Sequence, residues 1–173
     1  MVTLREDAAK GLFFVENNVK KTVFAWSPHN HLPRYVWLKT TAADITPGMP
    51  VIRGITVGIE RTCAKAAGSS IKVFGIAELD PKQIDVCTDT YATGDVIPVI
   101  PIYGNEGCIL RNLPITHPTA DILPDSGWQS GAGCFDIGDA TGMIYVRSQH
   151  FVADADNPSY LVAYIAPSLD VAA

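Results

Sequence analysis

Ile55-Thr56-Val57-Gly58-Ile59-Glu60 alternates apolar and polar residues without a break. In an extended chain successive side chains point to opposite faces, so Ile55, Val57 and Ile59 share one buried face while Thr56 and Glu60 look outward. Working outward, short β-branched or aromatic runs recur at residues 22–26, 35–38, 71–77, 96–102, 143–147 and 160–165. Gly, Pro, Asn and Asp separate them, which is the grammar of strands and turns. The last run is apolar on both faces, Tyr160, Val162 and Tyr164 against Leu161, Ala163 and Ile165. A strand of that kind needs covering by a second layer or another subunit. The expected core is Ile55, Val57, Ile59, Val73, Ile76, Val99 and Leu110.

Twelve prolines and fourteen glycines leave little room for a long helix. At most one short helix is expected over residues 6–10, closed by Gly11, with a turn or helical piece near residues 63–67. The fold class is therefore all-β, a compact β-barrel with an extended N-terminal arm and a long loop insertion. Residues 1–34 read as the arm, ending in Pro28-His29-Asn30-His31-Leu32-Pro33, whose prolines and Asn disfavour regular structure. Residues 35–113 carry the densest strand pattern and form the barrel core. Residues 114–173 complete the same domain, beginning with a turn-rich excursion to Thr141 and returning in two strands. No internal repeat and no low-complexity tract is apparent.

A chain of 173 residues, 47% hydrophobic and 18% charged, is long enough for one domain with a real core. Its apolar stretches, such as Leu12-Phe13-Phe14-Val15, fall far short of the roughly 20 residues a bilayer crossing needs, and its start lacks a signal-peptide apolar region. No membrane partner and synthesis in a cytoplasm are expected. A formal charge of −5, with Lys and Arg scattered singly apart from Lys20-Lys21, offers no basic stripe for phosphates. Nucleic acid is not an expected partner.

Candidate chemistry fails on spacing. Asp125-Ser126-Gly127 resembles a protease nucleophile turn, with His29 or His31 upstream as base, but Pro124 and Trp128 flank it where glycines belong. His29-Asn30-His31 lacks a third metal ligand at short spacing, and His117 and His150 stand beside turn or strand residues. Asp136, Asp139, Asp154 and Asp156 do not follow a calcium-loop pattern. No P-loop and no dinucleotide fingerprint occurs. The expectation is no enzyme, no metal and no cofactor. Cys63, Cys87, Cys108 and Cys134 are too widely spaced for a zinc site. They are either buried free thiols or partners in disulfides formed late, inside or between subunits.

Three segments carry a resemblance. Ile45-Thr46-Pro47-Gly48-Met49-Pro50-Val51, Gly75-Ile76-Ala77 and Tyr91-Ala92-Thr93-Gly94-Asp95-Val96-Ile97-Pro98-Val99 follow one another in an order that resembles small phage capsid decoration, or cement, proteins. Each piece also has its own physical reason. Pro47-Gly48 suits the central positions of a type II turn. Gly75 permits close backbone approach. Gly94-Asp95 makes a hairpin-type turn, and Pro98 marks an edge or bulge. The resemblance covers roughly residues 36–113 and implies a tulip-like β-barrel on the virion capsid surface. It implies binding to the major capsid protein, self-association as a homotrimer, and a stabilising role that is not catalytic. Phe13, Phe14, Phe24 and Trp26 in the arm, with Trp128 in the excursion, are the candidate partner-binding residues; the arm aromatics equally suit the core. The competing readings are a barrel that binds a small molecule or carbohydrate, with a polar pocket and aromatic platforms, and a barrel-fold enzyme with convergent titratable groups.

Overall fold

The computed structural model describes residues 22–28, 32–55, 61–67, 73–84, 89–115, 127–130, 133–136, 144–152 and 160–166. Eleven strands run through them: β1 (Phe24–Trp26), β2 (Val36–Thr40), β3 (Pro50–Ile55), β4 (Arg61–Lys65), β5 (Gly75–Ala77), β6 (Val96–Pro101), β7 (Ile109–Pro114), β8 (Gly127–Ser130), β9 (Phe135–Asp136), β10 (Ile144–Val152) and β11 (Tyr160–Ile165). The described chain is all-β, as expected. Among the described residues no helix is long and apolar enough to cross a membrane. The expected helix at residues 6–10 lies outside the described residues. The helical piece expected near residues 63–67 is instead strand β4, because Cys63 and its neighbours are captured by ladders to β3 on one side and β2 on the other.

Strands β2 to β6 close into a barrel of order β2-β4-β3-β5-β6. Alternation along β6 sends Ile97 and Val99 inward, to meet Leu38, Ile45, Val51, Cys63, Ala77 and Tyr91. Ile76 and Ile100 face the other way and enter a second core with Val23, Cys108, Leu110, Leu113, Phe135, Ala163 and Ile165. The single expected core is thus two. Val99 lines the barrel, Ile76 and Leu110 belong to the second core, and Val73 packs at its margin. Val57 and Ile59 lie outside the described residues. Apolar pattern marks burial but not which of two layers receives it.

The turns behave as their chemistry requires. Gly48 has φ of 87° and the Met49 amide donates to the Thr46 carbonyl, a type II geometry. A Cβ on Gly75 would overlap the Ile100 carbonyl oxygen, so the glycine is a contact requirement. Pro98 marks neither edge nor bulge. It sits in a strand paired on both sides, with its carbonyl accepting from the Glu78 amide just past the end of β5. Its missing N–H falls where the β5 ladder has run out.

The remaining strands form a sheet of order β1-β7-β11-β10-β8-β9. Two of them, β8 and β9, lie inside the stretch expected to be a loop excursion. The sheet curls so far that Phe135 of β9 bridges in parallel to Ile115, just past β7. The cycle β7-β9-β8-β10-β11 then has the same strand order as β2-β4-β3-β5-β6, with first and third strands parallel and every other neighbour antiparallel. The ladders superimpose residue by residue: Leu38 corresponds to Leu113, Thr40 to Ile115, Cys63 to Phe135, and Val99 to Ala163. One extra residue in β7, at the bulge where Asn112 has φ of 59°, completes the match. Asp44-Ile45-Thr46-Pro47 and Asp121-Ile122-Leu123-Pro124 occupy matching places, each ending three residues before the second strand of its unit. The chain therefore contains a repeat of topology that its sequence shows only in such fragments.

Candidate binding surface

The described residues ahead of β2 are held in place largely by buried polar side chains. The Glu78 side chain is 3% exposed and accepts the amides of Val23, Phe24 (2.8 Å) and Leu79 (2.7 Å). Burial raises its pKa above the ordinary carboxylate range, while those three amides and the Arg111 charge pull it back. Arg111 is tied to Thr22, its Nε donating to the Thr22 carbonyl at 2.8 Å. Asn105, also buried, accepts the Arg34 amide at 2.9 Å and donates to the Arg34 and Pro101 carbonyls. Behind Glu78, the Tyr91 hydroxyl donates to the Glu78 carbonyl and accepts the Asp80 amide at 2.7 Å. These bonds hold residues 22–28 and 32–35 against the body. The described part of the expected arm is thus an integral strand, with Val23 fully buried.

That anchoring leaves a run of large apolar side chains in solvent. Trp26 is 45% exposed, Leu32 75%, Trp37 54%, Val96 48% and Tyr103 75%, with Tyr35 at the margin. They lie on adjoining elements. Trp37 and Val96 share the outer face of the β2–β6 pair, through Trp37 opposite Pro98 and Lys39 opposite Val96. The turn after β6 lies against Arg34 at Gly104 and against Pro28 at Gly107. Tyr35 is partly covered, and burial, reinforced by the charges of Glu78 and Cys108, pushes its pKa up.

Of the residues singled out from sequence, Trp26 belongs to this surface and Phe24 is half-buried against the second core. Trp128 lies in β8, and Phe13 and Phe14 lie outside the described residues. Leu32, Trp37, Val96 and Tyr103 were not anticipated. The signal for Trp37 was present in Val36-Trp37-Leu38, where one face must bury Leu38 and the other must carry Trp37.

Cys63 sits in the barrel core, Cys108 sits in the second core and Cys134 is partly buried; none of the three is in a disulfide. Cys87 lies outside the described residues. Burial pushes the Cys63 thiol up to about 11. It raises Cys108 as well, offset by a hydrogen bond with Ser27 and reinforced by Glu106. Such thiols are poor nucleophiles. Among the described residues no group of three or more His, Cys, Asp or Glu side chains is placed to hold a metal. His29, His31, His117 and Ser126 lie outside the described residues.

Compared with known proteins, the chain matches no family model and no curated relative.

Proposed function

We propose that the protein is a capsid decoration protein, a binding module that attaches to an assembled shell and braces neighbouring coat subunits. The observation that carries this reading is the set of exposed large apolar side chains Trp26, Leu32, Trp37, Val96 and Tyr103 on adjoining elements. Scattered apolar residues on a surface need no explanation, but several large ones gathered on adjoining elements fit a protein interface. Rigid aromatics lose little side-chain entropy on docking, so their burial converts efficiently into affinity. Two units of one topology in a single chain suit a bridging role, since a copy that holds two coat subunits makes their separation cost its own binding energy. The Tyr-Ala-x-Gly-Asp segment and the Pro47-Gly48 turn support the same family resemblance.

The test is size-exclusion chromatography of the full chain with purified coat shells. Co-elution at a fixed, saturable ratio is the expected result; a protein that stays in the included volume at micromolar concentration refutes the reading.

A further inference from the structure

The surface of Trp26, Leu32, Trp37, Val96 and Tyr103 carries a charge opposite to that of the chain as a whole. The sequence has 18 Asp and Glu against 13 Lys and Arg, yet no Asp or Glu occurs between Glu16 and Asp44, and no charged residue between Asp95 and Glu106. Those two stretches supply the surface. Within their described residues the charged side chains are Arg34, next to Tyr35, and Lys39, opposite Val96. The carboxylates at their borders are engaged by backbone. Asp95 Oδ2 accepts the Ala92 amide at 2.7 Å and Glu106 Oε2 accepts the Gly104 amide at 2.9 Å, while Glu78 is buried under three amides. The exposed apolar side chains are thus accompanied by cations.

Arg34 is the better placed of the two. It is exposed, and its backbone is pinned on both sides by the buried Asn105, which accepts the Arg34 amide at 2.9 Å and donates to the Arg34 carbonyl at 3.2 Å. Its side chain runs along the turn after β6, with Cδ 3.9 Å from where a Cβ on Gly104 would stand, beside the exposed Tyr103. A guanidinium on apolar ground gains from docking, because the covered pair is less screened by water and salt. Its planar fork takes a carboxylate through two bonds at once. Trp, Tyr and Arg are also the residue types that concentrate affinity at interfaces. We propose, on the basis of the docking role given above, that Arg34 binds a carboxylate of the coat subunit. The matching coat segment is then one that presents an Asp or Glu among apolar side chains. A nucleic acid or an anionic membrane would call for a row of cations, which the described surface lacks.

Co-sedimentation of the full chain with purified coat shells, at about 0.05 M and about 0.5 M salt, tests the assignment. At low salt Arg34→Glu should lower the affinity about tenfold or more and Arg34→Gln by less, and the advantage of wild type over Arg34→Gln should shrink at high salt. Arg53→Glu makes the same change of net charge on β3, which neighbours neither β2 nor β6 in the barrel, and should bind as wild type does. Melting temperatures are taken on the same samples, and Arg34→Gln decides the matter if Arg34→Glu melts early. Equal binding by wild type, Arg34→Gln and Arg34→Glu, with Trp37→Ala/Tyr103→Ala weakened, overturns the carboxylate pair and leaves the docking face standing. Shells that take up no wild-type protein overturn both. Equal losses in Arg53→Glu and Arg34→Glu also overturn the pair, since net charge alone would then account for them. So does a wild-type oligomer that forms without shells and is broken by Arg34→Gln, because the occupant would then be a second copy of this chain.

Discussion

Replacing Glu78 by alanine removes the acceptor of three backbone amides at once, those of Val23, Phe24 and Leu79. A buried donor left without a partner costs about 1–3 kcal/mol. Three such losses would approach the whole stability of an ordinary domain, roughly 5–15 kcal/mol. Two effects reduce the total. The variant no longer buries a carboxylate, whose desolvation opposes folding, and water entering the vacated space meets some of the donors. A net loss of roughly 2–5 kcal/mol remains. It should be unevenly distributed, because two of the three amides belong to the segment at β1 while the barrel core of Leu38, Val51 and Val99 is untouched. Urea unfolding monitored by tryptophan fluorescence gives the total; hydrogen exchange at Phe24 and Arg111 gives the local part. A variant with a wild-type midpoint and unchanged exchange at both amides refutes the stapling role.

Other outcomes follow from the same geometry. The folded pKa of Glu78 lies above its unfolded value, so its ionisation opposes folding: stability is greatest below the unfolded pKa and falls as pH rises through the folded one. Glu78→Gln should flatten that slope in urea midpoints taken across the acidic to neutral range. Gly75→Ala places a methyl group against the Ile100 carbonyl and should cost roughly 1–3 kcal/mol, read as a lowered thermal midpoint. Cys63 and Cys108 should react with a thiol reagent only after unfolding, since both are buried with raised pKa values; labelling of the native protein within minutes would contradict that.

The fold class and most strands were legible because period-two alternation and Gly/Pro punctuation act locally. Residues 160–165 form a strand over the expected span, and the two-sided apolar pattern there reflects Val162, Ala163 and Ile165 buried in the assembled layers. What was not legible depends on contacts distant in sequence. Strand β4 carries a Cys-Ala-Lys run with no strong β preference and is fixed by two neighbouring strands. Glu78 follows an unremarkable Gly-Ile-Ala strand, and two of its three amide partners lie 54 and 55 residues away. The duplication is hidden in the sequence because ladder positions keep burial and direction more than identity, as the correspondence of Cys63 with Phe135 illustrates. The aromatic surface was half visible: Trp26 was singled out, whereas Trp37 and Tyr103 gained significance only when the chain brought β2 and the turn after β6 alongside it.

The central claim, attachment to a shell through that surface, is tested most directly by co-sedimentation of the full chain with purified coat shells, comparing wild type with Trp37→Ala/Tyr103→Ala. Both side chains are more than half exposed, so the double variant should melt within a degree or two of wild type. Its affinity for shells should fall at least tenfold, a loss of about 1.4 kcal/mol or more. A double variant that folds normally and sediments with shells as tightly as wild type would contradict the account.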